Sequence, residues 1–261
     1  MSRKLVFIVA AGIVLAGLFG VTGTAQRQFL GMQRMWHDLE NNRRPPEGTE
    51  FIFARARFGG GRQGGFFGFG GMPGWAHDYP DAEEHILQVA NEATGLNVKK
   101  ESYVIVNLDS EEIFQYPFLY FSEPGEMHLS EQEVANLREY FHRGGFAMVD
   151  DFDSQYELDW LAGQMRLVFP ARALVELTVD HPIYHTFYEI PTLEVAAPYA
   201  HEGPPRFYGY YDERGRLYMI VNHNTDIGYF WEWIDQPMYP LEPSTEALRF
   251  GINYFLFAMT H

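Results

Sequence analysis

The segment Leu129–Phe152, LSEQEVANLREYFHRGGFAMVDDF, limits the fold more than any other stretch of the chain. It joins a well-signalled helix to a strand with no polar position. Ser130 stands at an N-cap, and Glu133 completes a capping box in which each side chain satisfies the other residue's backbone N–H. Gly144 ends the helix. Phe146-Ala147-Met148-Val149 is then a short apolar run, as expected for a strand covered on both faces in a parallel sheet. Asp150, Asp151 and Asp153 follow directly. In α/β proteins ligands bind just past the carboxyl ends of such strands. This strand end is therefore a candidate site.

The same alternation runs through the chain. FIFARARF (51–58), SYVIVNL (102–108), PFLYFSE (117–123) and ALVELTV (173–179) read as strands. DAEEHILQVANEATG (81–95), YELDWLAGQMRLVF (156–169) and TEALRFGINYFLFAMTH (245–261) read as helices, the last apolar on most sides and so largely buried. RFYGYYDERGRLYMIVNHN (206–224) reads as a hairpin turning at Asp212–Gly215. Strands alternating with helices predict an α/β fold with helices on both faces of a mostly parallel sheet. Beyond the first fifty residues lie roughly 210, a length that suits one such domain, residues 50–261. Apolar residues make up 46% of the chain and aromatics 16%, enough for a large core.

Composition removes several function classes. The net charge of −16, with no evident basic face, argues against nucleic-acid binding. The absence of cysteine removes disulfides, thiolate zinc sites, thiol nucleophiles and a lipoprotein anchor.

The front end reads differently. After Arg3 and Lys4, the uncharged run Leu5–Val21 would span about 25 Å as a helix, at the short limit for crossing a membrane. Residues 1–25 are therefore expected to form a membrane anchor, with a signal peptide cleaved after Gly23-Thr24-Ala25 as the alternative. The basic flank places the body in the periplasm of a bacterial cell. Residues 26–49 read as a juxtamembrane helix and linker. Phe29, Met32, Met35, Trp36 and Leu39 recur at helical spacing, either as a plain stalk or as a face for lipid or partner helices. Pro45-Pro46 ends any helix.

Gly59–Gly74 holds nine glycines, and Phe66, Phe67, Phe69 and Trp75 lie within or beside it. It carries no G-x-x-x-x-G-K-[ST] motif, and no helix begins until about Asp81, so a phosphate loop is disfavoured. A flexible loop, or a surface that moulds onto a protein or lipid headgroups, fits better. Asp150, Asp151 and Asp153 could hold Mg²⁺ or Ca²⁺ or supply a general base, but they also suit the N-terminus of the helix beginning near Tyr156, and capping or structural hydrogen bonding is the preferred reading. His181 and His185 are one turn apart if helical, with no near third ligand. No metal and no cofactor is expected. There is no G-x-S-x-G nucleophile motif.

FIFARARF, HDYPDAE, YPFLYFSEPG, the Leu129–Phe152 segment, RLVFP and HPIYHTFYEI together resemble an uncharacterised bacterial family, a domain of unknown function placed in the class I glutamine amidotransferase-like superfamily. The resemblance covers about Glu50 to His261 and implies a flavodoxin-like three-layer sandwich. Amidotransferases of that superfamily keep a cysteine on the turn after a central strand. Here that turn falls near Asp150–Phe152 and holds none, which argues against glutaminase chemistry. The Gly/Phe run departs from the usual family pattern. An anchored, cysteine-free member also resembles accessory subunits of phototrophic complexes, in which antenna proteins ring a reaction centre.

The expectation is thus a non-catalytic, membrane-anchored periplasmic subunit of a larger membrane complex. Phe29, Met32, Met35, Trp36, Phe66, Phe67, Phe69 and Trp75 are its contact residues. The rival is an enzyme or small-ligand binder centred on Asp150, Asp151 and Asp153. A carbohydrate-binding version of that rival would use Tyr208, Tyr210, Tyr211, Trp231 and Trp233.

Overall fold

The structure, a computed structural model, describes residues 26–59, 72–199, 202–237 and 239–261. The run Leu5–Val21 and the side chains of Phe66, Phe67 and Phe69 lie outside the described residues. Among the described residues no helix is long and apolar enough to cross a membrane.

The described residues fold around a seven-stranded sheet in the order β2-β1-β3-β4-β7-β6-β5. β1 (Phe53–Arg57), β2 (Tyr103–Asn107), β3 (Phe118–Ser122), β4 (Phe146–Asp150) and β7 (Leu217–His223) run parallel. β6 (Arg206–Tyr211) is antiparallel to β7, and β5 (Val175–Glu176) is antiparallel to β6. The central strands β3 and β4 are buried at every position, as their apolar runs Phe118–Phe121 and Phe146–Val149 require, and each carries one buried polar residue, Ser122 or Asp150, at its carboxyl end. The expected strand over 173–179 shrinks to β5. It is an exposed edge, and the turn closed by the His181 N–H on the Thr178 carbonyl leads the chain away from the sheet.

The helices form two groups. α2 (Asp81–Thr94), α5 (Ile227–Glu232) and α6 (Leu241–Thr260) pack on one another, as do α3 (Glu131–His142) and α4 (Ser154–Val168). Phe255 of α6 lies against Phe51, Phe53 and Phe118, and Trp231 of α5 against Phe53 and Tyr120. The capping box on α3 is complete, with Ser130 and Glu133 each accepting the other's backbone N–H. α4 and α6 begin two and four residues earlier than the sequence suggests.

Residues 26–40 form α1, which is docked on the body rather than standing off it as a stalk. Met35 is fully buried, and Asp38 accepts the Tyr79 hydroxyl at 2.6 Å. Arg27 pairs with Asp81 and Asp235, and Arg34 with Glu84. Further along, the Arg43 guanidinium lies 3.6 Å above the Tyr103 ring. Of the proposed contact residues, Met35 and Trp75 are thus buried within the chain and Met32 half-buried. Phe29 and Trp36 remain exposed, with Leu30 beside them.

Candidate functional site

The carboxyl ends of β3, β4 and β7 meet the loop before α2, and their side chains converge there. β4 ends in Asp150, which is fully buried. Its carboxylate accepts the Gly228 N–H at 2.8 Å and the Asn222 amide at 3.1 Å, with the Tyr120 hydroxyl at 3.3 Å. Burial still dominates and raises its pKa to about 7.

Asp151 begins the turn after β4 in a left-handed conformation, φ +61°. It is buried and takes three donors: the His77 imidazole at 2.6 Å, the Ser122 hydroxyl at 3.0 Å and the Tyr199 hydroxyl at 2.8 Å. Burial alone would raise its pKa, but His77 and these hydrogen bonds overcome that and hold it well below the ordinary carboxylate value. Asp226, at the N-cap of α5, accepts the Tyr229 N–H at 2.8 Å and lies 3.1 Å from the Tyr199 hydroxyl. Burial, then the charge of Asp151 and its neighbours, pushes its pKa far up. Asp78 is buried, its carboxyl meets the Glu232 carboxyl, and its Oδ2 accepts no N–H or O–H donor. Its pKa is also raised, chiefly by burial. His77 shows about a third of its side chain, 36%, to solvent, and the facing Asp78 carboxylate is the main cause of its raised pKa.

The loop carrying His77 and Asp78 is held from below. Arg55 of β1, fully buried, pairs with the buried Glu83 of α2 and donates to the carbonyls of Trp75 at 3.1 Å and His77 at 2.8 Å. Asp78, Glu123, Asp151, Ser154 and Asn224 all adopt positive φ on the turns around the centre. Each costs on the order of 1 kcal/mol, and such strain concentrates at sites where backbone position matters.

Among the described residues, donor atoms of His77, Asp78, Asp151 and Asp226 all lie within 4.8 Å of one another, close enough to hold one metal ion. The adjoining cleft, lined by Arg27, Gln28, Met72, His77, Asp78, Tyr79, Asp81 and Glu232, holds about 30 Å³ of open space. Glu123 and Glu232 flank the centre, each raised to about 9 mainly by burial.

The other sequence candidates separate from this point. Asp153 stands at the N-cap of α4 without a side-chain cap bond, outside the convergence, so neither it nor the two buried aspartates before it caps that helix. His181 caps the Ile183 N–H, and His185 bonds Glu189 and the Val179 carbonyl; the pair does not converge on a common point. Trp231 and Tyr210 are fully buried and Trp233 nearly so, which leaves them no face for a sugar. A wider groove of about 830 Å³ at the other end of the sheet is rich in arginine, but Arg138 and Arg216 there bond backbone carbonyls at the ends of α4 and α3. The sequence reading found Asp150 and Asp151 and missed His77, Asp78, Asp226 and Tyr199. The adjacent His-Asp pair in HDYPDAE and the Asp of NHNTDIG were the visible signals.

No curated protein matches this sequence. The family described as "Domain of unknown function (DUF4159)" matches residues 65–259, a span that includes His77, Asp78, Asp151 and Asp226. Most of the chain falls within that match, and the protein belongs to the DUF4159 family.

Proposed function

We propose that this protein is a non-catalytic binding subunit that takes up a small cation at the carboxyl ends of its central strands. The observation that carries this is the local charge. Asp78, Asp150, Asp151 and Asp226 are buried together, and among the described residues the basic side chain that bonds into this group is His77. Buried carboxylates need protons or a counter-cation. The size of the cleft supports an ion over an organic substrate, since pockets for small molecules run to several hundred Å³.

The turn after β4 supports the non-catalytic part. In a flavodoxin-like, amidotransferase-like arrangement it is the place of the missing cysteine. Asp151 there is fully engaged by three donors and held ionised, which makes it a poor nucleophile and a poor base. Melting the full chain in detergent with a panel of mono- and divalent cations tests the reading. A saturating cation, at about 100 times its dissociation constant, stabilises by about 2.7 kcal/mol and raises the Tm by roughly 5–10 °C. No shift with any cation rejects it.

A second reading concerns location. Leu5–Val21 would anchor the body to the inner membrane from its periplasmic side, and α1 would meet other subunits of a membrane complex, such as a reaction-centre and antenna assembly. Phe29, Leu30 and Trp36, 51%, 54% and 48% exposed on the helix that follows the apolar run, favour it. Deletion of residues 1–25 should abolish copurification of the body with membranes; unchanged association removes the anchoring role.

A further inference from the structure

Resting on the cation-binding reading, we infer that the ion is a first-row divalent transition metal of the Zn²⁺ or Mn²⁺ type, ligated by His77, Asp78, Asp151 and Asp226. Three observations select that class.

The first is the donor set. An imidazole beside three carboxylates suits Zn²⁺ and Mn²⁺; Ca²⁺ and Mg²⁺ prefer oxygen alone, and Ca²⁺ takes six to eight oxygens. The second is spacing. Ligands on opposite sides of an ion with bonds of about 2.1 Å stand about 4.2 Å apart. The four donors here lie within 4.8 Å of one another, so small side-chain movements close the shell. The His77 to Asp151 contact of 2.6 Å is shorter than two adjacent ligands on one metal, so the ion takes the place of the proton between them.

The third observation is independent of the acidic cluster as such. Asp78 Oδ2 is buried and accepts no N–H or O–H donor, its carboxyl meeting only the Glu232 carboxyl, whereas the other centre carboxylates are held by N–H and O–H donors. An orphaned buried carboxylate oxygen costs more than an ordinary lost hydrogen bond. The backbone packs closely beside it: a Cβ at Gly228 would stand 2.5 Å from the Tyr120 hydroxyl, 3.0 Å from Asp78 Oδ2 and 3.5 Å from Asp226 Oδ1, so glycine there leaves these groups their room. The Tyr199 hydroxyl, bridging Asp151 and Asp226, holds two of the ligands from the outside, an arrangement common around metal sites. The Arg55–Glu83 pair fixes the His77 carbonyl and so orients the loop that supplies the other two.

The test is calorimetric titration of the chelator-stripped full chain with Zn²⁺, Mn²⁺, Mg²⁺ and Ca²⁺, with Mn²⁺ also followed by electron paramagnetic resonance. We expect one Zn²⁺ or Mn²⁺ per chain, bound at least 100-fold more tightly than Mg²⁺ or Ca²⁺. Asp226→Asn and His77→Gln should each weaken Zn²⁺ at least 10-fold, and His77→Gln should narrow the gap between Zn²⁺ and Mg²⁺. The wild-type titration stands whether or not the variants fold. Preferred binding of Ca²⁺, Mg²⁺ or a monovalent ion overturns the transition-metal assignment and leaves the cation-binding reading in place. Zn²⁺ binding unchanged in both folded variants overturns the ligand set. No binding of any ion overturns both readings.

Discussion

Arg55 and Glu83 meet with no exposed surface on either side chain, in the middle of β1 and at the start of α2. A buried pair contributes little net stability over a well-packed apolar pair, yet removing one partner strands the other charge. Glu83→Gln is therefore expected to cost about 3–5 kcal/mol, read as a lower midpoint in urea with an unchanged slope. A loss below about 1 kcal/mol would mean that Arg55 finds another counter-charge. The double change Arg55→Met, Glu83→Leu should recover much of that stability. It should still disturb the centre, because the Trp75 and His77 carbonyls lose their donor. Stability and site geometry separate in that variant, which makes the pair informative about both.

At the scale of elements, α3 shows how much a helix end can write in advance. The Ser130–Glu133 box satisfies two orphan N–H groups, and Glu133 also accepts the Gly59 N–H at 2.7 Å. Ser130→Ala should cost about 1 kcal/mol in urea denaturation, within the usual range for a lost N-cap. Glu133→Ala should cost more, since a second chain segment loses its acceptor. Such local signals made α2, α3, β4 and the β6–β7 hairpin legible, because capping, periodicity and turn chemistry act within a few residues. β5 was not legible as a two-residue strand, since its length depends on an edge that only β6 defines. The front helix shows the same limit. Its periodicity placed Met35 on an apolar face, and only the fold tells that this face meets the body. The centre was half legible. Asp150 and Asp151 end an obvious strand, whereas His77, Asp78, Tyr199 and Asp226 come from loops whose meeting depends on the strand order. Of capping and structural hydrogen bonding, Asp150 and Asp151 do the second, because the turn at Asp151 points them into the sheet end, away from α4.

At the scale of the molecule, the centre sets how stability responds to pH. In the metal-free protein Asp150 is raised to about 7 and Glu123 and Glu232 to about 9, in each case mainly by burial. Acids whose folded pKa exceeds the unfolded value near 4 favour folding while protonated. Their contribution is complete below about pH 4 and is lost as pH rises through 7 and 9. His77, also raised, adds stability in the same direction, present below about 6.5 and lost as pH climbs through its folded value. Asp151 opposes them, because its lowered pKa gives stability that is lost only in acid. The stripped protein should therefore melt at least about 2–4 °C higher at pH 6 than at pH 8.5, equivalent to about 1 kcal/mol. A flat profile would show that the carboxylates stay ionised without cost.

β4 and β7 are neighbours in the sheet, yet 66 residues of chain separate the end of one from the start of the other. Until that excursion returns, β4 leaves one edge of the apolar run Phe146–Val149 unpaired, and Asp226 is absent from the cluster around Asp151. A nascent or truncated chain that has made β4 but not β7 exposes such a template to other chains. It also holds Asp150 and Asp151 beside open sheet without their Asn222, Gly228 and Tyr199 donors. Long-range parallel pairing of this kind is slow to form. The last contact to assemble is then the one that completes the centre. A bound ion would report, within each molecule, that synthesis and folding have both run to the far side of the sheet.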